Sequence, residues 1–259
     1  MNDAINKALQ RLNLPGLAVM ALCAGLWELY CRTLGASFGS IASTTATVVA
    51  AKDLLIDGPL AEQLWHTASV AILGWIIASA LGFVIGLVLG LSRTAWTYSM
   101  ASIEVLRSIP SISFVSIAVL FFGFSAETEM VIVVYVSLWP MLLGTLGGIR
   151  AAPAGLLEVA RIFHLSGAAT FSKIILPAAL PVILVGLRLS LTLSIALAVV
   201  AEMIGNPEGL GFGIVSSQQA MQPAAAFAYL LVIGILGWGL NAIFALATRR
   251  FAFAHERMS

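Results

Sequence analysis

Long apolar runs broken by short polar segments organise this sequence. No Asp, Glu, Lys or Arg lies between His66 and Arg93, between Arg107 and Glu127, or between Glu129 and Arg150. A helix needs about 20 apolar residues to cross the hydrocarbon core, where no water can satisfy a bare backbone. On that basis six crossings are expected, near 14–31, 67–91, 108–125, 130–149, 181–204 and 224–248. The fold class is therefore all-α, a polytopic membrane protein of about six transmembrane helices.

The first run follows Lys7 and Arg11, an arrangement shared with secretory leaders. It continues through Trp27-Glu28-Leu29-Tyr30 without a small-x-small cleavage signal, so an uncleaved span is expected. Glu28 and Arg32, four residues apart at its far end, are spaced for a helical ion pair. Lys and Arg then orient the chain. With the N-terminus inside, Lys7, Arg11, Arg93, Arg107, Arg150, Arg161, Lys173, Arg249, Arg250 and Arg257 are cytoplasmic, and only Arg32 and Lys52 lie outside. Both termini are thus placed in the cytoplasm. The resulting organisation is a cytoplasmic N-terminus (1–13), a first span (14–31) and an extracytoplasmic segment (32–66). A five-span core (67–248) with a cytoplasmic loop (150–180) follows, and then a cytoplasmic tail (249–259).

Composition agrees. The 259 residues are 60% hydrophobic and only 10% charged, against about 25% charged in ordinary soluble domains. Mean hydropathy is +1.02. Basic residues are scattered rather than clustered, and no nucleic-acid partner is expected. Cys23 and Cys31 share the first span and form no metal or redox spacing. His66, His164 and His255 are far apart in sequence, so no metal site is expected. Gly74, Ala78, Gly82, Gly86 and Gly90 recur every four residues along the second span. They form one small-residue face, a helix-packing surface rather than a solute groove.

The loop at 150–180 differs from an ordinary connection. Gly155-Leu-Leu-Glu-Val-Ala-Arg-Ile-Phe163 has the pattern of a short amphipathic helix. Ser166-Gly167 marks a turn, and 168–176 can form a second helix, with Pro177 expected to stop it. Two short helices with an apolar face and no catalytic groups make a docking element for a groove on a soluble partner.

Glu158-Val159-Ala160 followed by Ile174-Ile175-Leu176-Pro177 resembles the cytoplasmic motif of ABC importer permeases. The continuation Pro177-Ala-Ala-Leu-Pro181, Gly186-Leu-Arg188-Leu, Ala201-Glu202-Met203 and Gly209-Leu-Gly-Phe212 is similar to the nitrate/sulfonate/taurine-type branch. The likeness runs from about residue 57 onward. It implies the type I importer permease fold in the bacterial inner membrane, paired with a second permease copy or a homologue. It also implies two ABC ATPase subunits and an extracytoplasmic solute-binding protein as partners. Glu158, Ala160, Arg161, His164, Gly167, Ile174, Leu176 and Pro177 would then form the ATPase-coupling element. The implied cargo is a small organic or inorganic anion of sulfonate, nitrate, taurine or aromatic carboxylate type. Two departures stand out. His164 occupies the position of the motif's usual Gly, and Ser108, Ser111 and Ser116 replace prolines expected around the third span, leaving Pro110. A more regular third helix is expected from fewer prolines.

No G-x-x-x-x-G-K-[ST] phosphate loop occurs, so the chain is not expected to be an enzyme. ATP and Mg belong on the partner ATPase, and no cofactor is expected on this chain. An ionised residue within a span costs about 2.5–3.5 kcal/mol and calls for a role. Arg188, Thr192, Ile195, Val199 and Glu202 fall on one helical stripe, and Arg188, Thr192, Glu202, Ser111 and Ser116 are the pathway candidates. The plainer readings are a snorkelling Arg188, or one paired with Glu104, and an interfacial Glu202. Glu104 and Arg107 are spaced for a pair of their own. The segment 205–213 is too Gly-rich for a helix and is expected, with 216–219, to form a re-entrant outer cap. Autonomous secondary transporters would show carboxylates at the midplane, and none occurs there. That alternative, a channel, and a non-transporting membrane scaffold remain the rival classes.

Overall fold

The computed structural model of this protein describes residues 14–33, 39 and 41–256. The expected N-terminal segment 1–13 and the last three positions of the tail lie outside the described residues. Contacts divide the chain into two units, Met1–Ala61 with Gly213–Val232, and Glu62–Phe212 with Ile233–Ser259.

In the first unit, α1 (Leu14–Thr33) has the 20 residues a crossing needs. α2 (Thr44–Ile56) is a helix within the segment read as an extracytoplasmic connection. Ser43 begins it, its side chain accepting the Ala46 N–H. Glu28 joins the two helices by accepting the Thr45 N–H at 3.0 Å and the Thr45 hydroxyl at 2.8 Å. It also pairs with Arg32 at 2.8 Å, as their spacing predicts. The Trp27 indole N–H reaches Ala42 O at 3.1 Å.

The second unit is built on α3 (Leu60–Leu91), α6 (Ala126–Arg150) and α9 (Leu176–Gly205). Apolar side chains gain nothing by leaving lipid, so close backbone approach must hold these helices together. The glycines permit it. A Cβ on Gly82 would stand 2.8 Å from Leu138 O, and one on Gly86 would stand 2.7 Å from Leu142 O. Gly74 faces Val133 and Gly90 faces Ile149, so the small stripe of α3 lies along α6. On the other side of α6, Gly144 and Gly186 meet backbone to backbone. A Cβ on Gly186 would be 2.8 Å from Pro140 O. The buried Ser190 hydroxyl donates to Ser137 O at 2.6 Å across the same seam.

Among the described residues, four helical stretches are long and apolar enough to cross a membrane, or five counting one bent pair. That pair corrects the third span. In place of one regular helix at 108–125, α4 (Arg93–Ser108) and α5 (Ser111–Phe122) meet at 84°. Pro110 has no N–H and disfavours helical geometry at Ile109, whose ψ is 123°. Tyr135 caps the break by donating to Leu106 O at 2.6 Å, with its ring stacked on Phe114. One proline at the right position breaks the helix, whatever the other positions hold. At the C-terminal end of α6, Arg150 lies over the Trp96 ring, 4.0 Å from its centroid.

Two further boundaries move. α10 (Gly209–Gln219) is helical where glycines predict a non-helical cap. α11 (Pro223–Glu256) extends well past the predicted end at 248 and runs through most of the expected tail.

Candidate functional site

The loop joining α6 to α9 has defined structure. α7 (Ala154–Ile162) follows Pro153. Its C-terminus closes with two backbone bonds, His164 N–H to Arg161 O and Leu165 N–H to Ala160 O, both 3.0 Å. This is the Schellman arrangement, which places one residue in the left-handed region and usually selects Gly there. Here that residue is His164, at φ 49°. Gly167 has no positive φ and nothing within 4 Å of a Cβ, so the reversal sits on His164 itself. Replacing His164 by Gly should relieve about 1 kcal/mol of backbone cost. His164→Gly is accordingly expected to raise the thermal midpoint of the purified chain slightly. A lowered midpoint would contradict the strained turn.

Ser166 then caps α8 (Gly167–Thr170), its hydroxyl accepting the Ala169 N–H. The expected stop at Pro177 does not occur. A π-helical turn at Phe171–Ile175 carries the chain directly into α9, with the Leu176 N–H bonded to Phe171 O. The ladder shifts register there, and Pro177, which lacks an N–H, falls within the first turn of α9.

The remaining residues expected to couple to an ATPase take distinct positions. Ala160 is buried, whereas Glu158, Arg161, His164 and Gly167 are exposed, and Ile174, Leu176 and Pro177 are half-buried. Ile175 and Leu176 pack on a buried cluster of Met141, Ile149, Ala179 and Ile183. The loop is therefore bonded to α9 and packed against α6. Outward, α7 exposes Leu156, Val159 and Ile162, and Phe163 just after it is also exposed, the last two at 73% and 71%. Four large apolar side chains within the eight residues 156–163 make an exposed apolar face.

The pathway candidates separate. Arg188 and Thr192 are exposed on α9, Ser116 is exposed and Ser111 half-buried. Arg188 forms no ion pair among the described residues, and Glu104, its expected partner, instead bonds Arg107 at 2.6 Å. Thr192 lies beside Asn241 of α11, hydroxyl to Oδ1 3.4 Å. Glu202 is corrected on both of its readings. It is 1% exposed, so within this chain it neither lines a route nor sits at an interface with water. Ile195 and Val199 are buried with it, so the stripe turns inward beyond Thr192.

Glu202 belongs to a polar cluster that sequence reasoning missed. His66 Nε2 lies 3.0 Å from Glu129 Oε2, and its Nδ1 lies 3.1 Å from Glu208. Asn206 donates from Nδ2 to Glu129 Oε1. Glu202 Oε2 accepts the Gly211 N–H at 2.8 Å at the start of α10, while Thr67 Oγ1 accepts the Leu210 N–H at 2.9 Å. Gly209, at φ +85°, leaves the space the Glu202 carboxylate fills. A helix N-terminus favours such a carboxylate, which explains why this glycine-rich segment is helical. The residues come from positions 66, 129 and 202–211, and no local spacing could announce them.

Long apolar helices, one pair of them bent, and a structured loop with an exposed apolar face define a multi-pass membrane protein. Residues 64–254 match the family of binding-protein-dependent transport system inner membrane components, and the chain belongs to that family. It is 32% identical over 225 residues to the aliphatic sulfonates transport permease SsuC of Bacillus subtilis, covering 86% of this chain and 81% of that one. The SsuC protein of Escherichia coli is 31% identical over 82% of this chain and 81% of its own. The nitrate import permease NrtB of Leptolyngbya laminosa is 27% identical, covering 92% and 87%. Among solved structures, a chain of the MetNI methionine ABC transporter in an inward-facing conformation superposes with a TM-score of 0.60. The identity is 16%, covering 73% of this chain and 96% of that one, a likeness of fold. The chain is thus a multi-pass inner-membrane permease subunit of an ABC importer. In this family ATP hydrolysis belongs to separate subunits.

Proposed function

We propose that this permease carries a small anion of sulfonate or nitrate type, with two ATPase subunits docked on the α7–α8 loop. A second permease subunit would complete the pathway, and an extracytoplasmic binding protein would deliver the anion. The supporting observation is the exposed apolar face of α7 on a loop bonded into α9 and packed against α6. Closure of the ATPases on ATP would pull that loop, and the packed helices would tilt as a body to open each side alternately. ATP and Mg would be held by the ATPases alone.

Arg188 supports the anionic cargo. It is exposed on a transmembrane helix without a carboxylate partner among the described residues, and a permanently charged guanidinium suits an oxyanion. The test is uptake into proteoliposomes containing the permease, its ATPase and its binding protein, with aliphatic sulfonates and nitrate as probes. Arg188→Gln is expected to lower ATP-dependent anion uptake at least about 10-fold, the loss of one charge-assisted contact. Unchanged anion uptake by Arg188→Gln would remove Arg188 from the pathway. Transport of none of the anions by the complete assembly would overturn the substrate class.

A further inference from the structure

We infer that His66, Glu129 and Glu202 form a binding site for a divalent transition cation of Zn²⁺ type. One ligand atom from each lies within 4.8 Å of the others. Glu129 and Glu202 are 0% and 1% exposed. Among the described residues no Lys or Arg pairs with either of them; the only ion-pair partner is His66, on Glu129. One imidazole cannot balance two buried carboxylates, and an uncompensated buried charge is costly. The start of α10 offsets part of it through the Gly211 N–H on Glu202 Oε2. The other oxygen, Oε1, is buried without a hydrogen-bond partner. A divalent cation supplies both the missing charge and the missing partner.

The surrounding groups are arranged as supports for metal ligands. His66 Nδ1 faces the Glu208 carboxylate, a contact that orients the ring and leaves Nε2 toward the two buried carboxylates. Asn206 holds the far oxygen of Glu129. One nitrogen and two carboxylate oxygens suit Zn²⁺, whereas Ca²⁺ and Mg²⁺ require six or more oxygens. Tetrahedral coordination needs donor atoms about 3.4 Å apart, within reach of small side-chain rotations from the present spread. Entry is open on the His66 side, where the ring is 16% exposed and Glu208 64%. The fourth position would take water. Bound there, the ion would tie together α3, α6, α9 and the first turn of α10.

The test uses the full chain, free of any affinity tag, in nanodiscs with Cys23→Ser and Cys31→Ser to remove thiolate ligands. Zn²⁺ is titrated against a chelating indicator, and Co²⁺ is added as a spectroscopic probe. One Zn²⁺ per chain is expected, with visible Co²⁺ bands of a four-coordinate N/O site. Glu202→Gln and Glu129→Gln should each weaken Zn²⁺ binding at least about 100-fold. Glu208→Gln, acting through His66, should weaken it about 10-fold. Absence of stoichiometric Zn²⁺ and of Co²⁺ bands in the folded parent chain would overturn the site, whether or not the variants fold. So would Glu202→Gln that folds and binds like the parent.

Discussion

Ile162→Asp combined with Phe163→Asp is expected to abolish co-purification of the ATPase while leaving the permease folded in the membrane. Both side chains are more than 70% exposed at the end of α7, so neither contributes to the core of this chain. Buried in a partner groove, each would contribute about 1.5–3 kcal/mol. Aspartate forfeits that contribution and adds the cost of desolvating a carboxylate. A combined loss of at least about 4 kcal/mol weakens binding roughly 1,000-fold, beyond what survives purification. Glu158→Arg probes the same face by charge and should weaken assembly in the same direction. The measurement is pull-down of the ATPase with the permease, beside the size-exclusion profile of the permease alone. Retained assembly with the double aspartate variant would place the docking surface elsewhere.

The second large effect is on the fold. Gly186→Leu should prevent α6 and α9 from reaching their packed distance. A Cβ there meets Pro140 O at 2.8 Å and Gly144 Cα at 3.1 Å, both of them backbone atoms. Backbone cannot rotate away as a flexible side chain can, so the helices must separate. Separation opens the Met141, Ile149, Ala179 and Ile183 cluster and stretches the Ser190–Ser137 bond. Lost packing of this kind costs about 3 kcal/mol or more, and in lipid no hydrophobic force compensates. Gly147→Leu on the same α6 is the control, since nothing lies within 4 Å of a Cβ there. Thermal unfolding followed by size-exclusion fluorescence should show a large drop for Gly186→Leu and little change for Gly147→Leu. Equal midpoints would show that this seam does not hold the bundle.

What the sequence revealed follows from how local each signal is. The small-residue stripe of α3 was legible because a period of four fixes one helix face, whatever the helix meets. The Glu104–Arg107 and Glu28–Arg32 pairs were legible for the same reason, being three and four residues apart. The structured loop at 150–180 could be read because its short helices and its turn lie within about thirty residues. The turn residue itself was displaced. Ser166-Gly167 looked like the reversal, but Gly167 starts a helix and His164 takes the left-handed position. Pro177 was misjudged as a stop because a proline's effect depends on where its missing N–H falls in the ladder, and a π-turn absorbs it. Pro110 had the opposite fate, breaking the third span where a regular helix was expected.

The buried cluster was illegible for a deeper reason. His66 stands 63 residues from Glu129 and 140 from Asn206, and each alone reads as a polar residue near a span end. Glycine-rich 205–213 likewise read as a non-helical cap. Its glycines are needed because Glu202 and neighbouring backbone approach α10 closely, a tertiary fact that no propensity carries.

The coupling proposed for the α7–α8 loop would make transport by this permease depend on a separate ATPase. Its most direct test is uptake of an aliphatic sulfonate or nitrate into proteoliposomes, comparing the permease alone with the permease plus ATPase and binding protein. Uptake is expected only in the complete assembly, dependent on ATP and lost with the Ile162→Asp, Phe163→Asp variant. Uptake by the permease alone, or ATP-driven uptake unaffected by that variant, would contradict it.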